Sequence, residues 1–245
     1  MKKDEAAGGS DRIVRRKLSD QVFERLRELM ASGELPPGAP MPSERDLMER
    51  FGVGRPAVRE ALQHMHTMGL ITISHGERSR VNELSAGSVL SRVDDVARML
   101  LSSEPEQLEH LKDARRMFEC GLMRVAATSA TPQDVAELRQ LVALQRGCMD
   151  DPEAFVTHDM AFHTRIAAVS GNPILIATSQ SMLRWLFHYH GVLLHWSGNE
   201  DITLREHQQM VDLIEAREAD AAIEAMKAHL DRSNMLYAHG NGQNG

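Results

Sequence analysis

Only two cysteines occur in the 245 residues, Cys120 and Cys148, and both fall in stretches with helical periodicity. Two thiols make no disulfide framework, so they read as reduced side chains in or near the core of a cytoplasmic protein. Aromatic residues are 4% of the chain, whereas methionine is plentiful at 15, a balance that suits a helical core packed with Leu, Met and Ala. No stretch approaches the roughly 20 consecutive apolar residues of a membrane-spanning helix, so no membrane partner is expected. The opening MKKDEAAGGSDR has no apolar centre and does not read as a secretion signal. The chain has no glycine-rich phosphate loop and no E-x-x-H pair of the di-iron bundle type. No Cys, His and Asp stand in a nucleophile arrangement, and strand signal is missing beyond residue 83.

Charge is present but unevenly placed. The net value of −7 argues weakly against a nucleic-acid partner until it is divided along the chain. Residues 1–82 carry 14 Lys+Arg against 12 Asp+Glu, a net of +2; residues 83–245 carry 14 against 23, a net of −9. A near-neutral front and an acidic back suggest two domains with different tasks. The expected layout is a disordered tail over 1–12, a first domain over 13–83, an all-helical domain over 84–238 and a flexible tail over 239–245.

In the first domain, LSDQVFERLRELM carries a buried stripe of Val22, Leu26, Leu29 and Met30, with Ser19 as the expected cap. SERD is a capping box built from Ser43 and Asp46, and Gly52 stops the short helix it starts. VGRPAVREALQHMHTMG gives a third helix, with Val58, Ala61, Leu62 and Met65 inward. LITISHGERSRVNEL alternates as a strand, turns at His75 and Gly76, and returns. Three helices and a hairpin describe a winged helix-turn-helix. Arg55 and Arg59, four residues apart, share the outward face of the third helix, with Gln63 and His66 extending it. Recognition helices read the major groove from their N-terminal residues, and arginine bidentate to guanine is the commonest specific contact. Arg45 can reach a phosphate or a base edge, His75 and Gly76 form the wing tip, and Arg78 and Arg80 flank it. Any one of these arginines is more simply a solvated helix face; the combination is not.

The remainder reads as an antiparallel all-α bundle of six to seven helices, making the chain mainly α. Its stripes include Val89, Leu90, Val93, Val96 and Leu100, then Leu108, Leu111, Phe118, Leu122 and Val125. TPQD at 131–134 is a second capping box, and Asp151-Pro152 opens a further helix. Four polar residues sit on apolar stripes: Asp159 and His163 with Phe155, Phe162 and Ile166; His207 with Leu204, Val211 and Ile214; His229 with Ala225 and Met226. One inward histidine is usually a satisfied core residue. Four potential ligands on three helices suit a divalent ion, zinc first and nickel also possible chemically. Arg115 shares the stripe 108, 111, 115, 118, 122 and needs an anion, either a bound organic acid or a protein carboxylate such as Glu119 or Glu206. His188, His190 and His195 do not share one helical face and are not read as a second site; His158 points away from Asp159.

The segment PSERDLMERFGVGRPAVREALQHMHTMGLITISHGERSRV resembles the DNA-binding domain of the GntR family of bacterial transcription regulators. The resemblance implies that Arg45, Arg55, Arg59, His75 and Gly76 contact operator DNA. The chain departs from the family pattern at Gly54 and Pro56, where many members carry hydroxyl residues. From DARRMFECGLMRVAA through DMAFH and SGNP to EHQQMVDLIEAREADAAIEAMKAHL, the back half resembles the all-helical effector domain (the FCD domain) of the FadR-like branch. There the matching positions imply a metal held by Asp159, His163, His207 and His229, an acidic effector at Arg115, and Asn172 near the same cavity. RRKLS, VGRPAVREAL and GERSRV are shared with members that respond to sialic acid. The resulting expectation is a cytoplasmic, homodimeric transcription regulator, a repressor, that binds double-stranded operator DNA under control of a small organic acid, a sialic or other sugar acid among the candidates. Two alternatives stand beside it: a metal-dependent enzyme acting on a small carboxylate with a DNA-binding head attached, and a metal that is purely structural.

Overall fold

The computed structural model describes residues 16–74, 78–103, 105–190 and 199–240. The chain divides into two compact units between Leu84 and Ser85. The first holds α1 (Leu18–Ala31), α2 (Glu44–Phe51), α3 (Arg55–Thr67), β1 (Ile71–Thr72) and β2 (Arg80–Val81). The strands are antiparallel, with Ile71 opposite Val81 and Thr72 opposite Arg80. Val22, Leu26, Leu47, Val58, Ala61, Met65, Ile71 and Val81 form one apolar core, the expected inward stripes of three helices closed by the wing.

Local chemistry sets the element ends. Ser43 Oγ accepts from the Asp46 N–H at 3.2 Å, and Asp46 Oδ2 accepts from the Ser43 N–H at 3.1 Å. The Ser43 hydroxyl and backbone N–H hold the Asp46 carboxyl below its ordinary value, and the reciprocal box satisfies two otherwise orphaned donors. Gly52 closes α2 at φ 64°, a left-handed turn that glycine enters without steric cost and that redirects the chain into α3. The ladder of the hairpin is shorter than the alternation of its sequence suggests, and His75 and Gly76 lie outside the described residues. Asn82 secures its base: it accepts from Thr72 Oγ1 at 2.8 Å and donates to the Gly69 carbonyl at 2.9 Å. Ser19 is not the cap of α1. The helix starts two residues earlier, after Lys17, so Ser19 falls inside it and its hydroxyl is buried.

The second unit is helical throughout its described residues: α4 (Ala86–Leu90), a single 3-10 turn, α5 (Asp94–Ser103), α6 (Pro105–Ser129), α7 (Pro132–Arg146), α8 (Pro152–Ala168), α9 (Pro173–His190), α10 (Glu200–Glu215) and α11 (Ala219–Gly240). No helix among them is long and apolar enough to cross a membrane. Helix α6 packs along α11, and α7 packs against both α8 and α10. The core joins Met123, Ala126 and Ala127 of α6 to Leu138 and Val142 of α7, Phe155, Phe162 and Ile166 of α8, Val211 and Ile214 of α10, and Met226 of α11. The expected caps of α7 and α8 are present: Thr131 Oγ1 accepts from the Asp134 N–H at 3.2 Å, and Asp151 Oδ1 accepts from the Ala154 N–H at 3.1 Å. Arg217, the one non-glycine with positive φ (63°) among the described residues, ends α10 and donates to the Ala127 and Ala130 carbonyls at the end of α6.

One apolar stripe faces outward. Val89, Val93, Val96 and Leu100 are all about half exposed or more, whereas Leu101 is buried. Asp94 explains which way α5 turns: it accepts from Trp185 Nε1 at 2.7 Å and Arg184 Nε at 3.1 Å, fixing that face of α5 on α9.

Leu138→Ala should lower the urea midpoint of this unit's unfolding by the equivalent of about 2–5 kcal/mol, because a fully buried leucine leaves a cavity. Leu144→Ala, on the exposed side of the same helix, should stay within about 0.5 kcal/mol. Circular dichroism at 222 nm reads both, and equal losses would show that α7 is turned differently.

Candidate DNA-reading head and buried histidine centre

Arg55 and Arg59 stand in the first two turns of α3, both largely exposed, because Val58, Ala61 and Leu62 take the opposite face into the core. Glu44, the first residue of α2, lies between them. Its Oε1 accepts from Arg59 Nε at 2.9 Å, and its Oε2 is 3.7 Å from Arg55 Nε. Arg45 is the most exposed of the three arginines, 3.9 Å from Glu49. Gln63 continues the outward face, whereas His66 turns back so that its Nδ1 lies 3.2 Å from the Ile71 carbonyl. Ser43, Glu44, Arg59, Gln63 and Arg78 line a groove between α2, α3 and the wing. A polar helix N-terminus beside a basic wing is the arrangement that enters a major groove.

In the second unit, α8, α10 and α11 bring His163, His207 and His229 together, with ligand nitrogens within 4.8 Å of one another. All three are 3% exposed or less. Asp159, one turn before His163, places Oδ1 3.5 Å from His207 Nε2 and Oδ2 3.9 Å from His163 Nε2. The four inward residues thus converge on one place. Phe162 stacks on the His207 ring at 4.1 Å and seals one side.

Each imidazole is held from behind. His163 Nδ1 meets Glu119 Oε2, His229 Nδ1 meets Glu206 Oε2 at 2.7 Å, and His207 Nδ1 meets Gln145 Oε1 at 2.8 Å. Gln145 is oriented in turn, since its Nε2 donates to Asp159 Oδ1 at 3.1 Å. Carboxylate and amide oxygens only accept, so each Nδ1 carries a proton, and in the neutral ring the lone pair is left on Nε2. Burial pushes the Glu119 carboxyl up, but Arg115 and His163 outweigh it and hold the group at about 2. Burial likewise raises Glu206, and His229 with Arg232 overcomes it, again to about 2. Burial also drives His207 well below its ordinary value, with Asp159 opposing, and lowers His229. Neutral rings with lone pairs aimed inward are what a metal ion requires of histidine.

Fit to a divalent ion can be tested on atoms already placed. The Nε2 atoms of His163 and His207 are buried with no hydrogen-bond partner among the described residues. Two such orphans side by side demand an explanation, and an ion between them supplies one. The three imidazoles and one carboxylate are a donor set that suits zinc or a neighbouring transition metal.

Arg115 is buried as its stripe requires, and its Nε meets Glu119, one of the two protein carboxylates named above as alternatives to a bound acid. Glu119 therefore touches both Arg115 and His163. Asn172 is exposed at the turn into α9, where Oδ1 accepts from the Ile174 N–H at 2.9 Å; no described contact joins it to the histidines. Sequence reasoning missed Gln145, although the signal was there: it follows Leu138 and Val142 on the buried stripe of α7 and is fully buried. It also missed Glu44, whose importance arises only where α2 and α3 cross.

A winged helix-turn-helix followed by a helical domain defines a class of DNA-binding regulators. Residues 18–81 match the family of bacterial regulatory proteins, gntR family, and residues 110–232 match the FCD domain. The chain is 36% identical over 222 residues to the HTH-type transcriptional repressor NanR of Klebsiella aerogenes, covering 89% of this chain and 84% of that one. It is 35% identical over 223 residues to the NanR of Salmonella newport, with 89% and 85% covered. The solved structure of Streptococcus agalactiae GntR shares the fold, with a TM-score of 0.64 at 21% identity over 87% of this chain and 98% of that one. The chain belongs to the GntR family of bacterial transcription regulators and carries an FCD domain. These relatives are regulators rather than enzymes.

Glu119→Ala should cost about 3–5 kcal/mol in urea unfolding at neutral pH, because it removes the buried carboxylate that Arg115 and His163 both meet. Adding Arg115→Met should return part of that loss. A double variant as unstable as the sum of the single changes would mean the two residues do not act as a pair.

Proposed function

We propose that this chain is a cytoplasmic, homodimeric transcription repressor whose operator affinity is set by a small organic acid bound beside a divalent ion in the helical unit. The observation that carries the regulatory half is the pair of orphaned Nε2 atoms on His163 and His207, each ring fixed from behind. The repressor assignment follows the name of the NanR relatives.

Two winged heads, one per protomer, read two half-sites. Arg55 and Arg59 meet base edges in the major groove, Arg45 a phosphate or base edge, and His75 and Gly76 enter the adjacent minor groove. Asp159, His163, His207 and His229 hold the ion, with zinc preferred by the donor set and nickel next. Bound there, a divalent ion supplies charge that compensates Asp159 and, at higher coordination, a position for a carboxylate. Arg115 offers that acid a buried guanidinium, held by the same Glu119 carboxylate that meets His163 Nδ1. An entering carboxylate competes with Glu119 for Arg115, which makes the pocket selective for anions. Asn172 would have to leave its helix cap to reach the acid. A sialic or other sugar acid fits the chemistry and the relatives' similarity. For the acid to act as a switch, it must favour one head arrangement over the other.

The test is enrichment of genomic fragments by the purified protein at fixed, near-physiological salt, since the phosphate contribution varies with salt. One or a few sites with a repeated half-site are expected, and the neighbouring genes indicate the acid to try. Uniform recovery of all fragments would sink the specific-regulator reading. Arg55→Ala should cost ~1–3 kcal/mol per site and relax the preference at one base.

Zinc alone should raise the melting temperature of the full chain, and His207→Ala should remove most of that rise. If chelation lowers the melting temperature but leaves both acid binding and operator affinity intact, the ion is structural. An acid that binds the helical unit without changing operator affinity would rule out the switch.

A further inference from the structure

Glu44 is an acid in a surface that has to meet phosphates. Its carboxylate is about one-third exposed, and both oxygens face the recognition arginines of α3. Oε1 accepts from Arg59 Nε at 2.9 Å, and Oε2 lies 3.7 Å from Arg55 Nε. The contacts thus fall on the same atom of both side chains. A guanidinium can approach guanine O6 and N7 through its Nη1/Nη2 end or through its Nε/Nη2 side. With Arg59 Nε hydrogen-bonded to Glu44, only the Nη1/Nη2 end of that guanidinium is left for a base, whereas Arg55, at 3.7 Å, is drawn to the same carboxylate by charge without a hydrogen bond.

We propose that Glu44 is a specificity-determining positioning residue: one carboxylate, shared between Arg55 and Arg59, fixes which edge Arg59 presents to DNA and holds Arg55 beside it by charge. The inference rests on the reading of Arg55 and Arg59 as base-contacting residues. Arginine is a long side chain with many rotamers, and an unheld pair on an exposed helix face would bind any nearby phosphate. Glu44 restrains the pair against that. Its own negative charge repels the backbone, so it lowers affinity for DNA of any sequence while sparing the sequence whose guanines meet the held edges. Selectivity is a difference between two affinities, and a residue that weakens the unwanted complex raises it as surely as one that strengthens the wanted complex. Placement supports the role. Glu44 directly follows the Ser43 cap, and the Ser43–Asp46 box fixes the backbone at that point.

The experiment uses the full-length protein and two duplexes: one selected by the unmodified protein from a randomised pool, and a scrambled duplex of equal length and composition. Affinities for both are measured at several salt concentrations for the unmodified protein, Glu44→Ala, Glu44→Gln and Arg59→Ala. Glu44→Ala should reduce the ratio of selected to scrambled affinity tenfold or more, while affinity for the scrambled duplex rises and its salt dependence steepens. Glutamine keeps one acceptor oxygen but turns an NH2 group toward the other arginine, so Glu44→Gln should fall between, at least threefold below the unmodified ratio. If Glu44→Ala changes both affinities in the same proportion, or Glu44→Gln matches the unmodified protein, the positioning role is overturned. Should Glu44→Ala fail to fold, as judged by its melting curve, the Glu44→Gln ratio decides alone. Arg59→Ala separates the two layers: a ratio unchanged in that variant would remove Arg59 from base reading whatever Glu44 does. A lowered ratio there with no effect at Glu44 would leave the arginine reading standing and refute the clamp.

Discussion

The helical unit depends on the need to satisfy polar groups that have been taken out of water. Three imidazoles, two carboxylates, one amide and one guanidinium occupy positions where a bundle ordinarily places Leu, Met or Ala. Left unpaired, each such group costs more than a typical hydrogen bond returns. Glu119, Gln145 and Glu206 remove most of that cost by taking the outer nitrogens of the three rings. Their oxygens can only accept, so the network also decides which nitrogen keeps a lone pair. What remains unsatisfied is concentrated at one point facing Asp159. The same bonds that make the interior tolerable therefore make it a candidate metal site.

The first unit solves a related problem at its surface. There the groups are solvated, and the difficulty is order rather than desolvation. Glu44 gathers two arginines that solvent would otherwise leave free to wander, using a carboxylate anchored at a capped helix start. In both units an acid sets the direction of a base that belongs to another helix or another turn. Glu119 does so in the interior and Glu44 on the exposed face.

Much of this was legible from the chain alone, for reasons that are local. Ser43 with Asp46, Thr131 with Asp134, and Asp151 before Pro152 mark helix starts through bonds spanning three residues, and all three are found. The inward direction of Asp159, His163, His207 and His229 follows from their 3.6-residue spacing with apolar neighbours. Ser19 misled because a cap depends on where the helix actually begins, and α1 begins two residues early. The stripe Val89, Val93, Val96 and Leu100 shows that periodicity identifies an apolar face but not what covers it. Gln145 and Glu44 escaped notice because their roles are tertiary: each matters through a side chain on a different helix. Arg115 was readable as buried and in need of an anion, with Glu119 among the carboxylates named for it, whereas the choice between them had to be seen.

Arg217 holds a final consequence. It accepts a left-handed backbone so that its guanidinium can close the C-terminal carbonyls of α6, tying that end of the longest helix to the end of α10. A helix pinned at one end is a lever. Arg115 and Glu119 lie along the arm, and toward its other end Leu108 and Leu111 pack with Leu101 of α5 and with Met182 and Leu186 of α9. A displacement at Arg115 would thus turn α6 about Ala127–Ala130 and press on that second apolar cluster, rather than slide α6 along its axis.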